Sequence, residues 1–311
     1  MTYNSVTTIS TCLESLFAQT YQDFSINVFD NASTDSTSGY LSTVAHIAVR
    51  FSTHNAGYAA AHNWLIDHTE SQYVLTLNPD VSLEKGYLQA MVQAIEADTR
   101  LGSCAGCLLR VDLLTEPPTI IDSTGLFMRK NRRQGLRNEK KAISERPTVP
   151  ELIFGPDGAA AFYRRTMLDK IRLDGEIFDT DFYMHKEDVD LSWRAQLYGW
   201  SSVYVPDAIA RHIRGFRPGE RQRVHSNLRF YSVRNRYLLL MKNEQISNLL
   251  RDIIPVLFYE AGIVLYLLFF ERESLMALVA AFSMRHKMMA KRRLINANRC
   301  VTWRDLRQWF I

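Results

Sequence analysis

Cysteine is scarce in this chain, with four among 311 residues, and that excludes the disulfide framework of a small secreted domain. Cys104 and Cys107 form one Cys-x-x-Cys, yet no second pair or nearby histidine completes a zinc set. Both fall in the apolar run Ser103 to Leu109, which reads as a buried strand and predicts core thiols. The opening Met1-Thr2-Tyr3-Asn4-Ser5 lacks the basic and apolar run of an export signal, so a reducing cytosol is the expected compartment. A composition of 47% hydrophobic and 23% charged residues excludes disorder, collagen-like repeats and a polytopic transporter. The length suffices for one large domain or two modest ones.

Net charge is also small, at +4, but it is unevenly distributed. Residues 1–210 hold 18 basic and 26 acidic side chains, whereas residues 211–311 hold 19 basic and 7 acidic ones. The first region is therefore acidic and the second strongly basic, which predicts an anionic partner or surface for the latter.

Through residue 110, short apolar runs alternate with helical patterns. Ile9, Cys12, Leu13, Leu16 and Phe17 follow helical spacing, with Ser5 as the expected N-cap. Strands are predicted at 26–29, 47–51, 73–77 and 103–109, and helices at 58–67 and 84–96. This alternation predicts an α/β fold with a mostly parallel central sheet and helices on both faces. Ligands in such sheets collect at the carboxyl ends of strands, where Asp30, Asn31, Asn55, Gly57, Asn78 and Asp80 stand. Residues 111–150 break the pattern. Within them Arg129, Lys130, Arg132, Arg133, Arg137, Lys140 and Lys141 have only Glu139 as an opposing charge in the stretch 129–141, which predicts a solvated basic loop. Sheet-and-helix texture returns from Phe154 to Val205.

Three acidic sites stand out. Asp30 opens a polar turn directly after a strand, where it reads either as part of an Asx-rich turn with Ser33 or Asp35 as caps, or as an acceptor for a base imide N–H. Asp80 closes Asn78-Pro79-Asp80 just past another strand, placed to hold Mg²⁺ or Mn²⁺ against a diphosphate. The third site is His185-Lys186-Glu187-Asp188-Val189-Asp190, at the start of an amphipathic helix with Val189, Leu191, Trp193 and Leu197. Helix capping is the bland reading of this acidic turn. Adjacent carboxylates also repel, so at least one pKa should rise toward neutrality and supply a base.

Six segments in series now resemble one family. They are Thr2-Tyr3-Asn4-Ser5, Asp30-Asn31-Ala32-Ser33-Thr34-Asp35, Asn55-Ala56-Gly57-Tyr58-Ala59, Leu77-Asn78-Pro79-Asp80-Val81, the run from Gly158 to Arg165, and Glu187-Asp188-Val189-Asp190-Leu191. Together they resemble the inverting family 2 glycosyltransferases of GT-A fold, in their bacterial rhamnosyltransferase-like branch. The resemblance implies that Thr2, Tyr3, Asn4, Asp30 and Asn31 hold the base and ribose of a nucleotide sugar. It places Asn55, Gly57, Asn78 and Gly158 beside the donor. Asp80 takes the metal position, with His212 as a second ligand of Mg²⁺ or Mn²⁺. Asp188 matches the general base and Glu187 its neighbour. The implied donor is dTDP-rhamnose, with UDP-sugars next, and the implied acceptor is a glycan or a polyprenyl-diphosphate-linked glycan in cell-surface polysaccharide synthesis.

The family carries a whole apolar strand before its Thr-Tyr-Asn-Ser motif, where this sequence has only Met1. That departure predicts either a start site placed too far downstream or a catalytically silent member. A nucleotidyltransferase of related fold is the other alternative, but its Gly-rich basic loop has no counterpart, since residues 4–12 contain no Gly, Lys or Arg.

The expected division is a catalytic domain over 1–240 and a helical, basic region over 241–311. Between Arg211 and Arg236, Arg214, Arg217, Arg221, Arg223, Arg229, Arg234 and Arg236 have few local partners and are read as acceptor-side groups for a diphosphate. Ile253 to Phe270 is an 18-residue apolar run interrupted by Glu260, and Ser274 to Met284 adds 11 mainly apolar residues. Basic residues from Arg285 to Arg293 follow, suited to anionic headgroups. The region is expected to lie in or dip into the cytoplasmic face of the cell membrane, as a peripheral element or single anchor. Helices packed on the catalytic domain are the soluble alternative. No interleaved aromatic and basic platform for nucleic acid is seen.

Overall fold

A computed structural model of the chain describes residues 1–215 and 225–311. The first half alternates helix and strand: α1 (Ile9–Phe17), β1 (Ile26–Asp30), α2 (Thr37–Leu41), β2 (Ile47–Phe51), α3 (Gly57–Asp67), β3 (Tyr73–Leu77), β4 (Val81–Leu83), α4 (Tyr87–Glu96) and β5 (Leu101–Arg110). Short strands follow at β6 (Ile120–Ser123), β7 (Leu126–Met128), β8 (Gln134–Leu136) and β9 (Glu151–Ile153). Then come β10 (Ala160–Arg164), α5 (Arg165–Lys170), α6 (Glu187–Leu197) and β11 (Ser201–His212). The remainder is helical: α7 (Ser226–Asn243), α8 (Ile246–Arg251), α9 (Ile253–Phe270), α10 (Leu275–Ser283), α11 (Arg285–Asn298) and α12 (Trp303–Leu306).

The α/β class stands, with a sheet less parallel than the alternation implied. The large sheet runs β3-β10-β5-β11-β4, with β6 beside β5 and β9 beside β11. Within it β5–β11 is parallel and the other pairings are antiparallel. A second parallel pair, β1–β2, forms its own ladder. Hydrophobic runs report burial and leave strand direction open, which is why the excess of antiparallel pairs was not legible.

Alternation along β10 accounts for the two-sided core. Ala160 and Phe162 point into a cluster with Leu88, Met91, Val92 and Ile95 of α4. Ala161 and Tyr163 point the other way, toward Met167 and Leu168 of α5 and Val189, Leu191 and Trp193 of α6. That second cluster continues into Leu238 and Leu239 of α7, Met288 and Ile295 of α11, and Phe310. The C-terminal helices thus share a core with the large sheet, and α7 runs unbroken through residue 240 to Asn243. Cys104 and Cys107 are fully buried on β5, with thiols pushed up by burial to about 12 and about 11.

Three local expectations are corrected. Thr8, not Ser5, precedes α1, and the Ser5 hydroxyl donates to the Tyr3 carbonyl. Residues 111–150 are not a solvated loop, for they hold β6, β7 and β8. Arg132 there is buried, paired with Glu244 and with Asp252 at 2.8 Å, its guanidinium 4.0 Å from the Phe310 ring centroid. Of the arginines read as lacking partners, Arg214 pairs with Asp122 and Asp157, Arg229 with Glu271 and Glu273, and Arg236 with Glu260. Arg234 donates to backbone carbonyls. Arg217, Arg221 and Arg223 lie outside the described residues.

β1 and β3, the strands that deliver Asp30 and Asn78–Asp80, are not hydrogen-bonded to each other. Between them lies a cavity of about 680 Å³ lined by Leu13, Ile26, Val28, Leu75, Leu77 and Phe162 among others. Thr2 closes one end of it through a parallel bridge to Asp30, its N–H donating to Phe29 at 2.9 Å and its carbonyl accepting from Asn31 at 2.9 Å.

Candidate active site

The strand ends that carry Asp80 and His212 meet the start of α6. β4 and β11 pair antiparallel with His212 opposite Val81, which brings the histidine beside Asp80. Nε2 of His212 lies 3.6 Å from Asp80 Oδ1. On the other side of the ring, Nδ1 sits 2.8 Å from Asp122 Oδ2. Burial opposes ionisation of Asp122, but hydrogen bonds from His212 and Arg214 hold its carboxyl well below the usual range. Asp122 at Nδ1 orients the ring so that Nε2 is the nitrogen turned toward Asp80.

Asp80 Oδ1 is itself buried and has no hydrogen-bond partner among the described residues. An orphaned carboxylate oxygen facing an imidazole nitrogen fits a divalent cation such as Mg²⁺ or Mn²⁺. Among the described residues no group of three His, Cys, Asp or Glu side chains is arranged to hold a metal ion by itself, so further ligands would come from a diphosphate and water.

Arg214 ties this pair to the next carboxylate, holding Asp122 at 2.8 Å and Asp157 at 2.5 Å. Asp157 precedes Gly158, whose N–H donates to Asp188 Oδ2 at 3.1 Å. The second Asp188 oxygen accepts from the Val189 N–H at 2.7 Å. A methyl group on Gly158 would come within 3.2 Å of both Cβ and Oδ2 of Asp188, so glycine is what permits this approach. Burial, then the charge of Asp157, raises the Asp188 carboxyl to about 6 despite those two hydrogen bonds. Glu187 is buried, with Oε2 unpartnered among the described residues, and is pushed up to about 8 by burial and by the Asp188 charge. One carboxylate ionised and one protonated near neutrality is an arrangement that can accept a proton from a hydroxyl.

Asp30 stands apart, at the end of β1. Its oxygens accept from the Ser33 and Ser38 hydroxyls, each at 2.5 Å, beneath a shallow hollow of about 380 Å³ lined also by Phe51 and Ser52. Asp35 takes the capping role, accepting from the Thr37 N–H at 3.0 Å. Asn4 Oδ1 accepts from the Thr34 N–H at 2.7 Å, and Tyr3 is exposed. Asn31 donates to Asn55 Oδ1 at 2.9 Å and accepts from the Ala56 N–H at 2.7 Å, so these two side chains shape the start of α3. Gly57, at φ +83°, lies against Tyr183, whose ring would be 2.6 Å from an added Cβ. The Asn78 N–H donates to Ala159 at 2.9 Å, which keeps the turn beside Gly158.

The structure therefore gathers Asp80, His212, Gly158, Asp188 and Glu187 into one group. It sets Asp30, Thr2 and Asn4 at the neighbouring strand end, and makes Asn31, Asn55 and Gly57 part of a bonded scaffold. Sequence reasoning missed Asp122 and Asp157. A charged residue inside the apolar run of β6 and the turn Gly155-Pro156-Asp157-Gly158 were the available signals.

Comparison with known proteins identifies the family. The family model described as "Glycosyl transferase family 2" matches residues 1–172. An N-acetylglucosaminyl-diphospho-decaprenol L-rhamnosyltransferase of Mycobacterium tuberculosis is 28% identical over 235 residues, covering 68% of this chain and 74% of the relative. Two solved structures share the fold. GalNAc-T7 with UDP, GalNAc and Mn²⁺ superposes with TM-score 0.57 at 13% identity, over 75% of this chain but 45% of that one, so this chain spans less than half its length. The mannosyltransferase PcManGT from Pyrobaculum calidifontis, in complex with GDP-Man and Mn²⁺, gives TM-score 0.53 at 16% identity over 99% of this chain and 85% of that one. At such identities the structural likeness speaks to fold alone, while the family model spans more than half of the 311 residues. With six motifs in order and the carboxylates gathered at the strand ends, this chain belongs to glycosyl transferase family 2.

Proposed function

We propose that this glycosyltransferase moves L-rhamnose from dTDP-rhamnose to a polyprenyl-diphosphate-linked glycan, with inversion, in cell-surface polysaccharide synthesis. The observation that carries the reading is the Asp188 carboxylate, held by the Gly158 N–H in the group that also contains the Asp80–His212 pair. Asp188 accepts the proton of the acceptor hydroxyl as that oxygen attacks the anomeric carbon. Glu187, protonated at the same pH, leaves the charge on Asp188. Asp80 and His212 would hold a divalent cation, which when bound would neutralise charge developing on the leaving diphosphate. Asp30, with Thr2, Tyr3, Asn4 and Asn31, orients the base and ribose, while Asn55, Gly57 and Asn78 border the donor. The choice of sugar and lipid-linked acceptor is supported by the mycobacterial relative, whose name carries both.

We place the enzyme at the cytoplasmic face of the membrane. Helix α9 is 18 residues of high hydropathy, only 11% of them buried. At 1.5 Å per residue it measures about 27 Å, just short of the hydrocarbon thickness of about 30 Å. Its Glu260 pairs with Arg236 of α7 at 2.5 Å and accepts from the Tyr237 hydroxyl at 2.8 Å. Val256, Glu260, Ile263 and Leu267 form one stripe toward the body, while Ile254, Phe258, Phe269 and Phe270 face outward with Met276 and Phe282 of α10. This disposition supports an in-plane anchor sunk into one leaflet. The basic cluster of α11 contributes less than its sequence implied, since Lys291 is buried against Asp179 and Asp181 and Lys287 pairs with Asp181.

Donor-dependent release of nucleoside diphosphate tests the activity, using dTDP-rhamnose and UDP-hexoses with Mn²⁺ or Mg²⁺ and N-acetylglucosaminyl-diphospho-polyprenol. Release with dTDP-rhamnose and an inverted linkage by NMR is the expected result. Release only with UDP-hexoses overturns the sugar, a retained linkage overturns inversion, and pyrophosphate release overturns the reaction class.

A further inference from the structure

The segment that leads into Glu187 and Asp188 is bent into a region that L-residues rarely adopt. Tyr183, His185 and Lys186 have φ of +60°, +70° and +73°, and none is glycine. A bend of this kind persists only where its surroundings over-determine it. What surrounds it is one side of α7.

The fully buried Asn235 supplies the central contact. Its Nδ2 lies 2.9, 2.8 and 2.7 Å from the carbonyl oxygens of Phe182, Met184 and His185. Its Oδ1 accepts from Arg234 Nε at 3.0 Å, which fixes the amide with its donors toward the bend. Arg234 Nη2 extends the set, reaching the carbonyls of Asp181 at 2.5 Å and Phe182 at 3.2 Å. Two adjacent side chains therefore hold four carbonyls, those of Asp181, Phe182, Met184 and His185, that no strand or helix ladder satisfies. The Tyr183 ring stacks on Tyr231, one turn earlier in α7, with centroids 5.2 Å apart. The Tyr183 carbonyl accepts from the Tyr58 N–H at 2.8 Å, so the bend is stitched between α7 and α3.

We propose that Asn235, assisted by Arg234, is a positioning residue for the general base. Its side-chain hydrogen bonds run to the bend and to Arg234. By holding the left-handed bend it sets where α6 begins, and hence where the Asp188 carboxylate sits relative to the Gly158 N–H. The inference rests on the reading of Asp188 as the base. Displacement of a reacting group by about 1 Å can cost about 10²-fold in rate, and the loss should fall on kcat, because Asp30, Asp80 and His212 are held by other elements.

The experiment compares the wild type with Asn235→Asp, Asn235→Ala, Arg234→Lys and Asp188→Asn. Initial rates of nucleoside diphosphate release are measured against donor concentration, and folding is followed by circular dichroism. Asn235→Asp keeps the shape of the side chain and replaces its donor by an acceptor facing three carbonyls. A kcat lowered by about 10²-fold with an unchanged donor KM, in folded Asn235→Asp or Asn235→Ala protein, is the expected result. Wild-type kcat in either folded variant, or a loss confined to KM, overturns the proposal. Should both fail to fold, Arg234→Lys decides, because that side chain is only half-buried and lysine loses the reach to two carbonyls at once. A lower kcat at constant KM supports the proposal, and wild-type kinetics overturn it. Asp188→Asn separates the two levels. If it is inactive while Asn235→Ala turns over normally, the positioning inference alone fails. If it turns over normally, the base assignment fails and takes this inference with it.

Discussion

His212 presents Nε2 to Asp80 Oδ1 across 3.6 Å while Asp122 holds its Nδ1 at 2.8 Å. The gap is too long for a hydrogen bond and suited to a shared cation. Asp80→Ala should abolish Mn²⁺-dependent donor binding, read as the loss of the metal effect in calorimetric titration of donor. Asp122→Asn keeps both ligands but weakens the grip on the ring, and should lower metal affinity about 10–100-fold. Unchanged metal titration in both variants would remove the cation from this position.

Asp188→Asn should lower kcat by about 10²–10⁴-fold and leave donor binding measurable, because its partners in the structure are backbone N–H groups. Gly158→Ala is a milder probe of the same carboxylate, since its Cβ would press within 3.2 Å of Oδ2. It should reduce kcat with little change in thermal stability. Normal turnover in Gly158→Ala would show that the close approach is immaterial.

The pH dependence follows from the two raised carboxyls. A general base works ionised, so kcat/KM should rise with pH along a limb centred near 6, where burial and Asp157 have placed Asp188. A flat profile between pH 5 and 7, about one unit either side, would argue against Asp188 as base.

Stability should move in the opposite direction. Folded Glu187 and Asp188 hold their protons to about 8 and about 6, well above ordinary values near 4. Their contribution is fully present below those ordinary values and is lost as pH rises through 6 to 8. Glu187→Gln, permanently neutral, should therefore melt above the wild type at pH ~9 and close to it at pH ~5. An equal difference at both pH values would contradict the raised pair.

Membrane seating is testable without activity. Phe258→Ser with Phe269→Ser removes two rings that are 77% and 70% exposed on the outer side of α9. Co-sedimentation with vesicles containing anionic lipid should fall sharply, while circular dichroism and donor binding stay constant. Wild-type sedimentation of the double variant would place the contact elsewhere.

Local patterns made the acidic strand ends legible. An apolar run ending in Asp30, or in Asn78-Pro79-Asp80, announces a strand and its carboxyl end together. Glu187–Asp188 at a helix start was legible for the same reason. Partners far apart in sequence were not. Arg132 belongs to a basic stretch and looks solvated until Glu244 and Asp252, more than a hundred residues on, close over it. Lys291 looked like a lipid-facing charge until Asp179 met it. Charge density along a chain counts neighbours in sequence, and these counter-ions are neighbours only in space. Strand direction escaped for a related reason: β10 reads as an apolar strand whichever way it runs.

The seam between β1 and β3 carries a last implication. Asp30 sits on one ladder and Asp80 at the edge of the other, and no strand-to-strand hydrogen bond joins the two. On the proposed reading, a nucleotide sugar gripped at both carboxylates would bridge that joint like a tie-rod, and its affinity would report how stiffly the joint is packed. Leu13, Val28 and Phe162 line the seam. Changes there would retune donor affinity by loosening the span between two grips rather than by altering either one.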